Sequence, residues 1–397
     1  MTSSITQNTI PLTQLDAVAK PIGQAVGMPG TAYTSEALFH FERDQLLGLT
    51  WSGLAFASEV AANGSLAPVD FMGLPLIVTR DLNGHINVFH NVCSHRGMTL
   101  VKEANPLARG IRCPYHSWYY DLSGSLKSTP SIGGVRINEV AGFSCENNGL
   151  KRVRCHVWMG IVFINLSGDA PDFTDFITPL ENRWSQFSGA GFLDELHVPE
   201  QGALIEIDVQ CNWKLAVENY CESYHLPSVH PTLNTYSPLD QHYNIVAAEN
   251  MSGQGSYVYN LSDIAGTELP RFPHWPEEKM SHAEYISLYP NVLLGLQPDH
   301  VFAMIVQPQA PGQSVEKLQL YYIGAQSLDE SYGGCRSAVL KSWQQVFSED
   351  IFAVEGMQNA RRSSGFTGGV FSPVMDVSSH HFHQWLAQCY KTGTVRL

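Results

Sequence analysis

A chain of 397 residues, 44% apolar and 15% charged, exceeds one small domain and carries enough apolar material for substantial cores. Its net charge of −14 comes without a basic stripe, which argues against nucleic acid and favours a cationic small molecule or a basic redox protein as partner. No apolar run is long enough to span a membrane and no basic-then-apolar leader is visible, so neither an anchor nor a secretory signal is expected and the cytoplasm is the default location.

Residues 1–45 read as an N-terminal segment packing on a later domain; Ser35–Leu47 is amphipathic, and Ala37–Glu42 within it reads as a helix or an edge strand. Residues 46–167 read as a small antiparallel β domain. Its strands are Pro75–Thr79, Ile86–Phe89 and Val157–Asn165, punctuated by Leu82-Asn83-Gly84 and Ser123-Gly124-Ser125. Gly168-Asp169-Ala170-Pro171 marks a boundary, and 168–397 form a larger domain. There Leu204–Val209 alternates as a strand, and Asn212–Leu226 reads as a helix stopped by Pro227. The stretch 232–280 reads as loop, Tyr289–Val306 and Leu318–Ala325 as strands, and Ser337–Arg361 as the strongest helix, with Gly365 just past its end. The expected class is α+β: a small antiparallel β domain, then a larger one with an antiparallel sheet covered by helices. The eight cysteines, in a long chain without an export signal, do not read as a disulfide framework; those outside the motif below are expected as buried thiols.

Within the small domain, NVCSHRGMTLVKEANPLARGIRCPYHSW (91–118) holds two Cys/His pairs, Cys93 with His95 and Cys113 with His116, each in a turn. Two thiolates and two imidazoles can close on zinc. Zinc fingers, however, usually group like ligands together. One Cys and one His per turn suits a two-iron cluster in which one iron takes both sulfurs and the other both nitrogens. C-S-H-R-G followed by C-P-Y-H-S-W resembles the Rieske [2Fe–2S] signature, in the version found in Rieske non-haem iron oxygenases. Replacing two thiolates by neutral imidazoles makes such a cluster less negative and a readier electron acceptor.

A second constellation lies in NWKLAVENYCESYHLPSVHP (212–231). Glu218, Glu222 and His225 fall at steps of four and three, one face of a continuous helix, and His230 returns beside His225 across the bend at Pro227. A 2-His-1-carboxylate site needs one more acid. The late helix offers Asp350 on the apolar stripe of Trp343, Val346, Phe347, Ile351, Val354 and Met357, where a carboxylate is costly unless paired or metal-bound; Glu349 lies off the stripe and is expected in solvent.

This pattern, with Glu-Asp in a late helix, resembles the catalytic domain of the same oxygenases. The resemblance implies that His225, His230 and Asp350 hold a mononuclear Fe(II), and that Cys93, His95, Cys113 and His116 hold the cluster. It implies that Glu222 links the iron to the cluster of a neighbouring subunit, that Asn219 lies near the iron, and that the chain forms a homotrimer. Many ring dihydroxylases have Asp where Glu222 stands; Glu222-Ser223-Tyr224-His225 resembles the choline, glycine betaine and carnitine monooxygenase branch. No G-x-G-x-x-G fingerprint is present, so a separate NAD(P)H-dependent reductase, with or without a ferredoxin, would supply electrons. Tyr236, Tyr243, Tyr257, Tyr259, Phe272, Trp275, Tyr285 and Phe302 are candidates for holding a quaternary ammonium by cation–π attraction. The expected reaction is O₂-dependent hydroxylation of an N-methyl group and hence demethylation. Aromatic-ring hydroxylation and a non-catalytic Rieske electron carrier are the alternatives.

Overall fold

The computed structural model describes residues 10–261 and 268–393. The chain forms two units: Gly53–Asp169, and the chain before and after it, up to Ser52 and from Ala170. Among the described residues no helix is long and apolar enough to cross a membrane.

The small unit is antiparallel β. Strands β1 (Ser52–Phe56), β2 (Ser65–Phe71), β3 (Leu74–Arg80), β4 (Ile86–His90), β8 (Arg152–Trp158) and β9 (Ile161–Asn165) form a sheet ordered β1-β9-β8-β4-β3-β2; β5 (Ile111–Arg112), β6 (Tyr119–Tyr120) and β7 (Leu126–Ser128) form a second. Val157–Asn165 is therefore two strands. The chain reverses at Met159 and Gly160, whose φ of 50° and 71° are the left-handed pair that a two-residue hairpin needs. Ile77, Phe89, Ile111, Tyr120 and Leu122 fill the core, and Cys93 and Cys113 are buried in the same cluster.

The larger unit is built on β10 (Leu196–His197), β11 (Leu204–Val209), β12 (His242–Ala248), β13 (Met251–Ser256), β14 (Ala283–Leu288), β15 (Val292–Leu296), β16 (His300–Ala310) and β17 (Gln313–Ile323). Its order is β10-β17-β16-β15-β14-β13-β12, with β11 also on β17. The helix Trp213–Cys221 packs on β13, β14 and β16, Val377–Thr392 on β12 and β13, and the long helix Gly333–Ala360 on β11 and on the Trp213–Cys221 helix.

Four expectations are corrected here. The stretch 232–280 is not all loop, since it contains β12 and β13; its residues 262–267 lie outside the described residues. Tyr289–Val306 is not one strand, since the chain turns between β15 and β16. The helix expected over Asn212–Leu226 stops at Cys221. Glu222 is extended (φ −126°, ψ 156°), and a separate helix, Leu226–Val229, follows. Pro227 sits in the first turn of that short helix, where a missing N–H costs nothing, so it starts a helix rather than ending one. Of the other cysteines, Cys211, Cys221 and Cys389 are buried, whereas Cys145, Cys155 and Cys335 are half-exposed; all eight are free thiols.

The N-terminus of the Trp213–Cys221 helix is fixed from several sides. Asn212 caps it through Lys214 N and donates to Pro311 O at 2.7 Å, while its own N–H reaches Gln358 Oε1 of the long helix at 3.0 Å. Next to the cap, Lys214 Nζ lies 2.6 Å from Glu42 Oε1, with neither side chain more than 1% exposed, and Trp213 Nε1 and Tyr390 Oη also donate to Glu42. This pair joins the Glu36–Glu42 helix, the Trp213–Cys221 helix and the Val377–Thr392 helix. Lys214→Met strands the Glu42 charge and should cost about 3–5 kcal/mol in urea unfolding, most of it recovered in Lys214→Met/Glu42→Leu. A single variant as stable as wild type would show that the pair holds nothing.

Candidate metal centres

The small unit brings Cys93, His95, Cys113 and His116 onto two loops with one shared turn geometry. Cys93 O accepts from Gly97 N at 3.0 Å and Cys93 N donates to Met98 O at 2.8 Å; Cys113 O accepts from Ser117 N at 3.0 Å and Cys113 N donates to Trp118 O at 2.8 Å. The fourth residue after each cysteine is left-handed, Gly97 at φ 71° and Ser117 at φ 60°. Both cysteines are buried, His95 is exposed and His116 is half-buried. The two imidazoles lie 4.6 Å apart, and Trp118 stacks on His95 at 4.7 Å. His116 Nδ1 is buried and makes no hydrogen bond among the described residues, as a nitrogen reserved for a metal would be. Slight desolvation, and after it the neighbouring His116 and Arg96, lowers the pKa of His95 and favours the neutral form that metals take. These donors fit a two-iron cluster with its sulfurs inside and its imidazoles outside. The Tyr120 hydroxyl lies 3.2 Å from Cys93 Sγ and 2.9 Å from Ser94 Oγ.

In the larger unit Glu222 organises the break after Cys221. Its Oε2 accepts from the Tyr224 and His225 amides, and its Oε1 accepts from His225 Nδ1 at 2.6 Å. Glu218, Glu222 and His225 therefore do not share a helical face. Glu218 turns instead to Tyr33 Oη at 2.6 Å and His383 Nε2 at 3.2 Å. Burial pushes the Glu218 pKa up, but His383, Arg361 and Tyr33 outweigh it and leave the group below its usual range.

His230 Nδ1 lies 2.9 Å from Glu349 Oε2, and Glu349 Oε1 accepts from Gln345 at 2.8 Å. Glu349 is thus an orienting partner and not a solvated acid. The other ring nitrogen of each histidine, Nε2, faces Asp350: His230 Nε2 is 3.0 Å and His225 Nε2 3.7 Å from Asp350 Oδ1, which also accepts from Asn219 Nδ2 at 2.7 Å. The donor atoms of His225, His230 and Asp350 all lie within 4.8 Å of one another, a group that can hold a metal ion. Adjacent donors on an octahedral ion with bonds of about 2.1 Å stand roughly 3 Å apart, so the set fits with small adjustment. Each histidine has its outer nitrogen on a carboxylate, the arrangement that fixes the ring and raises ligand basicity. Burial lowers the His230 pKa, but Asp350 and then Glu349 more than reverse this and leave it raised; metal binding must displace that proton. Burial, and then the Asp350 charge, pushes the Glu316 carboxyl up to about 8.

A cavity opens on this group. Its aromatic walls are Tyr220, Tyr285, Trp343 and Phe347, with Leu226, Leu233 and Val346 between them and His242 and Gln254 on the polar side; among the described residues no lysine or arginine lines it. Burial depresses His242, whose Nδ1 lies 2.8 Å from Gln254 Oε1. Tyr220 is fixed by its hydroxyl on Leu294 O at 2.8 Å, and Trp343 by its N–H on His300 Nε2 at 2.9 Å. Phe302 backs Trp343 with ring centroids 4.4 Å apart, lying over Gly295, where any Cβ would strike its ring. Of the eight aromatic candidates from the sequence, only Tyr285 lines the cavity. Tyr243 and Tyr257 stack on each other, and Phe272 and Trp275 pack together. Trp343 and Phe347 were already on the stripe seven and three residues before Asp350, a signal sufficient to place them beside it. Nothing in spacing alone distinguishes Tyr220.

A family model of the Rieske [2Fe-2S] domain matches residues 50–140, and one of the catalytic domain of the ring hydroxylating alpha subunit matches residues 196–392. The chain belongs to the Rieske non-haem iron oxygenases, as their oxygenase component. It is an enzyme that uses a [2Fe–2S] cluster and a mononuclear iron, which sets aside the reading as a simple electron carrier. It is 25% identical to the carnitine monooxygenase oxygenase subunit of Escherichia coli strain K12, over 93% of this chain and 95% of that one. It is 27% identical to the chloroplastic choline monooxygenase of Arabidopsis thaliana, over 91% and 82%. Its fold matches a solved quaternary ammonium Rieske monooxygenase, described for carnitine oxidation and inter-subunit electron transfer, with a TM-score of 0.77 at 22% identity, over 97% of this chain and 100% of that one.

Because hydrogen bonds to cluster sulfurs raise the reduction potential, Tyr120→Phe should lower it by roughly 40–60 mV, the equivalent of about 1 kcal/mol for one electron. Redox titration of the visible spectrum measures this; an unchanged potential would show that the Tyr120 hydroxyl does not reach the cluster.

Proposed function

We propose that this chain hydroxylates an N-methyl carbon of a small quaternary amine, a betaine or a related compound, so that the net reaction is oxidative demethylation. In this reading His225, His230 and Asp350 hold the mononuclear iron, and Cys93, His95, Cys113 and His116 hold the cluster. When bound, the iron supplies O₂ activation and the cluster supplies electrons one at a time. Glu349 and Glu222 aim the two imidazoles, and Asn219 steadies Asp350. Glu222 also bridges to the cluster of a neighbouring subunit in a homotrimer, supported by the inter-subunit transfer described for the solved relative. A separate NAD(P)H-dependent reductase, with or without a ferredoxin, feeds the cluster.

One observation carries the substrate class. Among the described residues the cavity beside the proposed ligands has four aromatic walls, one carboxylate and no lysine or arginine in its lining. Ring faces attract a desolvated quaternary ammonium by about 2 kcal/mol or more, and such a cation carries no N–H that would demand a partner. The carnitine and choline oxygenases among the relatives support the same class. Aromatic-ring hydroxylation is the second reading, because the same apolar walls would admit an arene and the matched catalytic domain is named for ring hydroxylation.

With a matched reductase, O₂ consumption and formaldehyde release should be stimulated by trimethylammonium compounds and not by benzoate-type arenes; the reverse would establish the second reading. Asp350→Ala should lose the chelatable mononuclear iron and turnover while keeping the cluster's visible absorption. Metal analysis finding full iron in that variant would remove Asp350 from the ligand set.

A further inference from the structure

The indole nitrogen of Trp343 gives its N–H to His300 Nε2 at 2.9 Å, and His300 Nδ1 lies 2.7 Å from Asp299 Oδ1. An indole nitrogen only donates. His300 Nε2 therefore offers a lone pair, and the imidazole proton sits on Nδ1, donated to the carboxylate. His300 opens β16 and Asp299 lies in the turn before it; the imidazole side chain is 1% exposed and the carboxylate 18%. The three groups thus run from the cavity wall, through a buried base, to an acid that reaches solvent. Trp343 stands seven residues before Asp350 on the long helix, about 10 Å along its axis. The other rings lining the cavity are held differently. Tyr220 donates to the Leu294 carbonyl and Tyr285 lies beside the Gln297 amide, groups that do not take up a proton, and Phe347 has none to give. Burial also holds both phenols protonated.

We propose that Trp343, His300 and Asp299 form a one-electron relay that protects the site: Trp343 reduces an O₂-derived oxidant, which the oxygenase activity supplies, when it arises in a cavity that holds no substrate. The inference rests on placing the iron at His225, His230 and Asp350 and goes beyond the hydroxylation read from that site. The oxidant takes one electron from the indole. The Nε1–H bond breaks, its proton passes to His300 Nε2, and a neutral indole radical is left. His300 becomes an imidazolium whose Nδ1–H stays on the Asp299 carboxylate. One electron from the one-electron donor that feeds the cluster restores the indole, and the proton returns along the same hydrogen bond. Without the base, oxidation would leave an unpaired cation among buried rings; with it, the charge ends beside a carboxylate.

The chelatable iron of the purified protein is first counted by metal analysis. The iron-loaded protein is then mixed with hydrogen peroxide without substrate, freeze-quenched and examined by EPR, once with ordinary and once with ring-deuterated tryptophan. Wild type should give an organic radical whose hyperfine pattern narrows on deuteration, and Trp343→Phe should lose it. His300→Gln still accepts the indole N–H but cannot take its proton, so it should lose the radical while keeping its iron. Peptide mapping of that variant should find the oxidation moved onto His225, His230 or Tyr220. Asp299→Asn leaves the Trp343–His300 bond in place and should shrink the signal; it decides the matter where His300→Gln does not fold. A hydrogen bond that served packing alone would give no tryptophan radical. No such radical in iron-loaded wild type, one of full size in Trp343→Phe, or one undiminished in His300→Gln or in Asp299→Asn overturns the relay and leaves the iron site standing. Wild type that holds no chelatable iron overturns the iron site, and the relay with it.

Discussion

The larger unit turns on one carboxylate. Where the Trp213–Cys221 helix would continue, Glu222 becomes extended and closes its side chain on two backbone amides and on His225 Nδ1. That one group ends a helix, caps the next turn and fixes the face that an imidazole presents. A continuous helix would have kept His225 on the Glu218 face, which is turned to Tyr33 and His383. The break releases His225 and lets the short Leu226–Val229 helix carry the chain round, so that His230 faces the same point. The rigid parts around the break make it reproducible: an N-cap tied to the long helix at one end, and Cys221 packed between Ser252 and Ser287 at the other.

The acids around this bend would repel one another if each faced the same space. Their partners sort them. Glu218 is held by Tyr33, His383 and Arg361, Glu222 by His225 and two amides, and Glu349 by His230 and Gln345. Asp350, alone among the described acids, turns towards Nε2 of both histidines. A divalent ion placed there gains one carboxylate directly and two more through the imidazoles they polarise. Burial, and after it the Asp350 charge, pushes the Glu316 carboxyl up to about 8, which favours its uncharged form.

How much of this was legible in the sequence follows from what kind of information each feature needs. The cluster loops could be read because both pairs are local, and the positive φ at Gly97 is written in the residue. Asp350 could be read because a helix repeats and a charge on an apolar stripe is conspicuous. The partner of Asp350's neighbour could not: Glu349 looks solvated on its own helix, and only the fold brings His230 to it. The helix over Asn212–Leu226 was overrun for a related reason. Propensity favours continuation through Glu222, whereas a three-donor tertiary contact on its side chain outweighs it. The cavity walls divide in the same way, with Trp343 and Phe347 placed by periodicity and Tyr220 by packing on β15.

The two units handle charge in opposite ways, and this determines what each can exchange with its surroundings. In the small unit the cysteines are packed among apolar side chains while the His95 imidazole stands at the surface, with Tyr115 lying against His116. The sulfur side is closed, so the shortest route for an electron is through the imidazole side, where little protein intervenes. In the larger unit the proposed ligands are recessed, their outer nitrogens already taken by carboxylates, and the space in front of them is walled by aromatic rings. Such a site can admit a cation and hold back bulk water. An exposed one-electron relay and a recessed binding pocket are therefore complementary: the first carries electrons one at a time and the second holds the substrate, which is a physical reason for one polypeptide to carry both.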